Sequence, residues 1–302
     1  MKTTYLSYLM LISVLLFTAC RKEQQKSTKE VADIQNNDVV LTPGGWRAAS
    51  KVARISPEEH LSVNNGRLSR VDNASGRVTK DFGVIERKTG DEARRILPLG
   101  SGWITYTHWT NQSATPITYF ASTFTVPPAP TTNNGQTIFL FPGLENNTYI
   151  LQPVLQWGPS AAGGGNYWAI ANWYVGFDGS AGFSNLVRVN PGTVLRGIMT
   201  QTGRTGSNYN YTSAFSGYPA ITLALNNTEK LFWAIETLEA YNVVACSNYP
   251  NTAKTRFSAI ELRVGTAQAP LSWNVANEIT DCGQHAAVVT NGSPNGIVDL
   301  FY

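Results

Sequence analysis

After residue 101 the chain offers a short apolar-rich run about every ten positions, each closed by turn formers, and almost nowhere a helical period. The runs are 117–126, 137–141, 149–157, 167–177, 186–189, 193–202, 220–225, 231–241, 256–264, 286–290 and 296–301. Between them stand Val126-Pro-Pro-Ala-Pro130, Asn133-Asn-Gly135, Gly163-Gly-Gly165 and Asn190-Pro-Gly192. A parallel sheet would need crossover connections, usually helices, and none can be read here. Many short strands with frequent turns predict an all-β chain built as an antiparallel β-sandwich.

Charge divides the chain. Residues 21–100 hold 15 Lys+Arg and 11 Asp+Glu, whereas residues 101–302 hold only 7 and 9. The second segment also carries most of the tryptophans, and its length is ample for one large core. It is predicted to be the sandwich domain, 101–302. Residues 39–100 contain short alternating runs around Asn73-Ala-Ser-Gly76, a turn that suits a hairpin. They read as a prosegment, a small β element or a spacer, and the sequence leaves these open. Residues 20–38 have no apolar period and read as a disordered tether.

The start of the chain points to export. Lys2 precedes an uncharged apolar stretch over 5–17, and Leu16-Phe17-Thr18-Ala19-Cys20 places small residues before a cysteine. This predicts a lipoprotein signal peptide over 1–19, cleavage before Cys20 and a lipid on its thiol. The expected location is the bacterial cell envelope, lipid-anchored on the periplasmic or cell-surface face. The membrane is then one partner. The two remaining cysteines, Cys246 and Cys282, suit one disulfide in an exported protein. His60, His108 and His285 are scattered without metal-ligand spacing, so no metal is expected. A formal charge of +3 with no basic run excludes a nucleic-acid partner.

Alternation assigns faces on two strands. In Ile150-Leu-Gln-Pro-Val-Leu-Gln-Trp157, Leu151, Leu155 and Trp157 share one face, and Gln152, Val154 and Gln156 the other. Glutamines on a strand this apolar need partners or water, which suggests a solvated outer face. Asn172 shares its face with Trp168 and Tyr174. A polar and aromatic concave face would suit a groove for a peptide or sugar polymer.

Seven short motifs then occur in order: Phe124-Thr-Val-Pro-Pro, Phe141-Pro-Gly-Leu-Glu145, Ile150-Leu-Gln152, Trp173-Tyr174, Pro191-Gly-Thr-Val-Leu, Ile235-Glu-Thr-Leu-Glu239 and Glu278-Ile-Thr-Asp-Cys282. Together they resemble the eqolisins, or glutamic peptidases, over roughly residues 101–290. The resemblance implies a concanavalin-like antiparallel β-sandwich with the active site on a concave face, and it favours a prosegment over 39–98. It places the catalytic glutamine on Gln152 and the glutamate on Glu239 or Glu236. Those two acids lie three apart on one strand and therefore face opposite ways. Phe141, Glu145 and Asn172 fall where the family lines its substrate cleft, with Gln156 beside them on the glutamine strand.

The implied chemistry needs no cofactor. A glutamate takes a proton from a water held between it and the glutamine, the water attacks the scissile carbonyl, and the Gln152 amide N–H donates to the oxyanion; the carboxyl then passes its proton to the leaving nitrogen as the C–N bond breaks. The expected partner is a polypeptide substrate. The alternative is a non-catalytic carbohydrate-binding or adhesion module on the same sandwich, in which Trp168, Trp173 and Tyr174 stack on a glycan. A glycosidase would want two carboxylates about 5 Å apart on one face, which Glu236 and Glu239 do not offer.

Overall fold

Alternating side chains, with glycine at sharp reversals, lay the chain out as strands. The computed structural model describes residues 38–86 and 102–302; the segments expected to be a signal peptide (1–19) and a tether (20–38, all but its last residue), with Cys20, lie outside the described residues. The first strands are β1 (Val39–Thr42), β2 (Gly45–Ala48), β3 (Val52–Arg54), β4 (Glu59–Asn64), β5 (Arg67–Asp72) and β6 (Val78–Val84). Next come β7 (Gly102–Thr110), β8 (Ile117–Thr125), β9 (Thr137–Glu145), β10 (Tyr149–Ser160), β11 (Gly163–Gly176), β12 (Ala181–Phe183), β13 (Val187–Arg188) and β14 (Val194–Thr205). The last are β15 (Asn208–Phe215), β16 (Leu223–Thr228), β17 (Trp233–Tyr241), β18 (Lys254–Val264), β19 (Ala267–Gln268), β20 (Asn274–Asn277), β21 (His285–Thr290) and β22 (Gly296–Phe301). The described residues contain no helix long and apolar enough to cross a membrane.

These strands form an all-β sandwich. One sheet of nine strands runs β20-β7-β17-β9-β10-β11-β12-β3, with β13 also on β11. The other, of eleven, runs β21-β22-β18-β8-β14-β15-β16-β4-β5-β6, with β19 on β18. Pairing is antiparallel except where the N-terminal segment joins. There β3 adds to β12 and β4 to β16 in parallel. The segment ahead of residue 101 thus extends both sheets, while β1 and β2 pair only with each other.

The core lies between the sheets. Leu140, Leu151, Leu155, Trp157, Trp168, Tyr174 and Leu238 from the first pack with Phe120, Phe124, Leu195, Met199 and Leu262 from the second. The sheets approach closely at Gly197 of β14, where an added Cβ would meet Pro153 at 2.7 Å and Pro142 at 3.0 Å. Cys246 and Cys282 are joined by a disulfide. On the far face of the nine-stranded sheet lies a second apolar layer: Leu41, Phe139, Phe141, Ile150, Val154, Trp173, Val175, Phe183, Ile235 and Tyr241. Gln152 and Glu239 lie on the same face.

Candidate active site

The faces of β17 follow from its register. Pairing with β9 is unbroken from Trp233 opposite Glu145 to Tyr241 opposite Thr137, and the only shift is on the β7 side, between Leu238 and Glu239. Unbroken alternation sends Trp233, Ile235, Thr237, Glu239 and Tyr241 to the outer face, and Ala234, Glu236, Leu238 and Ala240 into the core. Glu236 is fully buried between the sheets, where the Ser122 hydroxyl donates to its Oε2 at 3.3 Å. Burial raises its pKa well above the ordinary value, and the Ser122 hydrogen bond offsets this only in part. It is a neutral acid in the core, on the opposite side of the sheet from Gln152. That corrects its place among the candidate catalytic residues.

Glu239 has different surroundings. Its Oε1 accepts the Gly44 backbone N–H at 2.7 Å and also the Tyr241 hydroxyl. Its Oε2 is buried without a hydrogen-bond partner. Burial pushes the carboxyl up to about 7, against the pull of the Tyr241 O–H, the Gly44 N–H and the Arg47 charge. A carboxyl poised there can take up or release a proton near neutrality.

Gln152 shares the outer face. It is buried, pairs with Trp173, and its Oε1 has no hydrogen-bond partner. Its chain neighbour Leu151 stands opposite Leu144 of β9, so Gln152 comes beside Gly143, whereas Glu239 stands opposite Phe139. Along a flat sheet that offset is about 13 Å, with two strand spacings across. Gly44, whose N–H is bonded to Glu239, would carry a Cβ 3.0 Å from Val175 Cγ1, and Val175 lies two residues beyond Trp173, diagonal to Gln152. A single residue therefore reaches from the Glu239 carboxyl to the surroundings of Gln152.

Residues 40–48 form a strap over this face. Leu41 is buried in the outer apolar layer, and its carbonyl accepts the Ala161 N–H at 2.7 Å. Thr42 Oγ1 donates to the Gly45 carbonyl at 2.9 Å, tightening a reversal through Gly44 at φ +84° and Gly45 at φ +107°. Arg47 then reaches across to the Gly176 carbonyl at 2.6 Å and to Thr42 Oγ1 at 2.9 Å. Burial lowers the Arg47 pKa, countered by the neighbouring Tyr241, Glu239 and Asp178. No local sequence signal could have shown this strap, because Gly44 and Glu239 are 195 residues apart.

On the β7 side the face carries an aromatic wall that sequence reasoning missed. Trp103 and Trp233 stack at 6.0 Å, and Tyr106 packs edge-on to Trp103 at 4.9 Å. The Trp233 indole donates to His108 Nδ1 at 3.3 Å. These rings are half-buried and flank Thr237 and Glu239.

Of the proposed cleft residues, Phe141 and Glu145 do lie on the outer face with Gln152, through their pairing with Thr237 and Ile150. Gln156 shares that face but is committed locally. Its Nε2 donates to the Gly158 and Gly163 carbonyls at 2.7 and 2.8 Å, and its Oε1 accepts from Ser160. It pins the β10–β11 hairpin and leaves no group for a substrate. Neither glutamine is solvated; each is 1% exposed.

Asn172 faces the interior. Its Nδ2 donates to the Ile221 carbonyl and its Oδ1 accepts from Ser213, both at 2.7 Å, so it ties the two sheets together. Trp168 and Tyr174 are buried on the same side. Asn172→Ala is expected to cost about 3 kcal/mol by stranding buried partners. Urea unfolding should show that loss, and any hydrolysis by the native fraction should keep its KM. A raised KM without lost stability would restore a substrate contact. Among the described residues no three His, Cys, Asp or Glu side chains gather as a metal site.

No protein-family model matches the chain, and no curated protein matches it. Among solved structures it is similar to a scytalido-glutamic peptidase bound to a peptide-based transition-state analogue. That match has TM-score 0.45 and 11% identity, over 66% of this chain and 98% of that one. It is also similar to SCP-B, a member of the eqolisin family of peptidases, in complex with the tripeptide Ala-Ile-His. Here the TM-score is 0.43 and the identity 12%, over 67% of this chain and 98% of that one. Likeness at this level fixes no residue's role.

Proposed function

We propose that the outer face of the nine-stranded sheet is a polypeptide-binding cleft and that the chain is a glutamic peptidase, with Glu239 as general base and Gln152 as oxyanion donor. The observation that carries this reading is the cleft's present occupant. A polypeptide segment, residues 40–48, lies on the face and gives a backbone N–H to Glu239. Tyr241 and Gly44 both bind Oε1, which leaves Oε2 to take the proton of a water. Gln152 Oε1, buried and unpartnered on the same face, is suited to orient that water while the amide N–H meets the oxyanion. The aromatic wall offers apolar contact to substrate side chains.

One observation favours a second reading, peptide binding without hydrolysis. In the register, Gln152 is level with Ile235 and not with Glu239. The carbohydrate reading loses its stacking platform, because Trp168, Trp173 and Tyr174 are buried. The deciding assay is hydrolysis of denatured protein from pH 3 to 8, with the strap in place and with it cut away at the exposed Ala49–Lys51 turn. Cleavage that is lost in Gln152→Ala supports the peptidase. Peptide retention without cleavage in either form leaves the binding module.

The lipid anchor is a proposal of the same kind, resting on the sequence before Cys20. Cys20→Ser should move the protein from the membrane to the soluble fraction. If it remains membrane-bound, the anchor is wrong.

A further inference from the structure

Glu239 sits on the outer face of a sheet, where solvent would ordinarily reach it, yet it is fully buried. Part of its cover is chain from the N-terminal side: Gly44 is bonded to it, and a Cβ built on Gly45 would lie 3.8 Å from the Tyr241 hydroxyl. The cover is fastened at its two ends and, between them, by the Gly44 N–H on Glu239, with no strand pairing to either large sheet. Leu41 anchors one end in the apolar layer beside Ala161, and Arg47 anchors the other on the Gly176 carbonyl. Between them, β1 and β2 pair with each other and with neither large sheet. β3 to β6, by contrast, are built into the sheets. A segment held at three points and paired with neither large sheet can leave without unzipping one; the following strands cannot.

We infer that residues 40–48 are a displaceable autoinhibitory strap, occupying the peptide cleft in a form that the cleft can hold but not process. Two features make it a poor substrate. It presents an N–H, not a carbonyl, to Glu239. Gly44 and Gly45 also have positive φ, so the backbone turns away where a peptide to be cut would run extended. Any other residue at 44 would be strained in that conformation and would press Arg47 and Val175, each 3.0 Å from its Cβ. The occupant that must displace the strap is an extended polypeptide. The inference rests on reading this face as a peptide cleft, and it does not require hydrolysis.

The test inserts a site-specific protease sequence after Ser50, in the exposed turn between β2 and β3, in the otherwise intact chain. The probe is a fluorescent peptide of residues 40–48. While tethered, the strap competes at an effective concentration near the millimolar range, so the uncut chain should bind the probe weakly. After cutting, excess probe should displace the N-terminal fragment, and affinity should rise more than tenfold. Gly44→Pro, which removes the N–H and forbids the positive φ, should raise probe binding without any cut. A fragment that stays in place against excess probe overturns the inference, as does an uncut chain that binds as well as the cut one. Probe bound but denatured protein never hydrolysed upholds the strap and rejects the peptidase.

Discussion

In the strap-cut chain, Glu239→Gln is expected to lower kcat for protein hydrolysis by about a hundredfold or more, and Glu236→Gln to leave it within about twofold. The two residues are three apart on one strand, and their surroundings make the contrast. Gln at 239 can still accept the Tyr241 hydroxyl, so the local fold is kept while the proton acceptor is lost. Gln at 236 can still accept from Ser122, on the side of the sheet that substrate never meets. Gln152→Ala should cost about a hundredfold to a thousandfold in kcat, the effect of losing one oxyanion donor. The base must be ionised, so kcat/KM in the wild type should climb as pH rises through the Glu239 pKa, which burial in the sheet face raises. Loss of activity in Glu236→Gln with Glu239→Gln unaffected would place the chemistry on the other face and reject the assignment.

The pattern of residues showed the sheet and part of the site, and the places where it failed share a cause. Alternation in 149–157 and 231–241 put Gln152 and Glu239 on outer-facing positions and Glu236 among Ala234 and Leu238. Strand pairing in the structure has the same faces, because a period of two survives wherever no bulge intervenes. Five strands after residue 101 were not read: β7, β12, β15, β19 and β20. In β15 the inward set is Tyr209, Tyr211, Ser213 and Phe215, a period-two signal hidden by the asparagines and threonine between them. β20 is an edge strand of mostly exposed residues with little to bury. Polar side chains misled for another reason. Gln156 and Asn172 looked available because their partners, the backbone carbonyls of Gly158, Gly163 and Ile221, carry no sequence signature. The same holds for the strap: a glycine N–H is common to every glycine, and only the fold brings Gly44 to Glu239.

Stability should fall as pH rises above about 5, and Glu236→Gln should remove much of that fall. Both buried acids have folded-state pKa values raised above the unfolded value, chiefly by burial. Between the unfolded value of about 4.3 and the folded value, the native state holds protons that the unfolded chain has released, so the slope of unfolding free energy with pH is negative. For Glu239, raised from 4.5 to about 7, the loss across that window is about 3 kcal/mol. Glu236 adds a loss of the same sign, and one Ser122 hydrogen bond does little to oppose it. At the acid end the sign reverses. Asp299 is held low by its Arg256 hydrogen bonds, while Glu59 and Glu261 are held low by hydrogen bonds and arginine neighbours that outweigh burial. Their stabilisation is lost as pH drops through their folded values. The two opposing limbs put the wild-type maximum near pH 4 to 5. Urea midpoints from pH 3 to 8 should therefore fall less steeply above pH 5 in Glu236→Gln, the Glu239 share of the fall remaining, with the mutant the more stable protein at pH 8. A mutant curve parallel to the wild type from pH 5 to 8 would mean that Glu236 is not the buried neutral acid described for it.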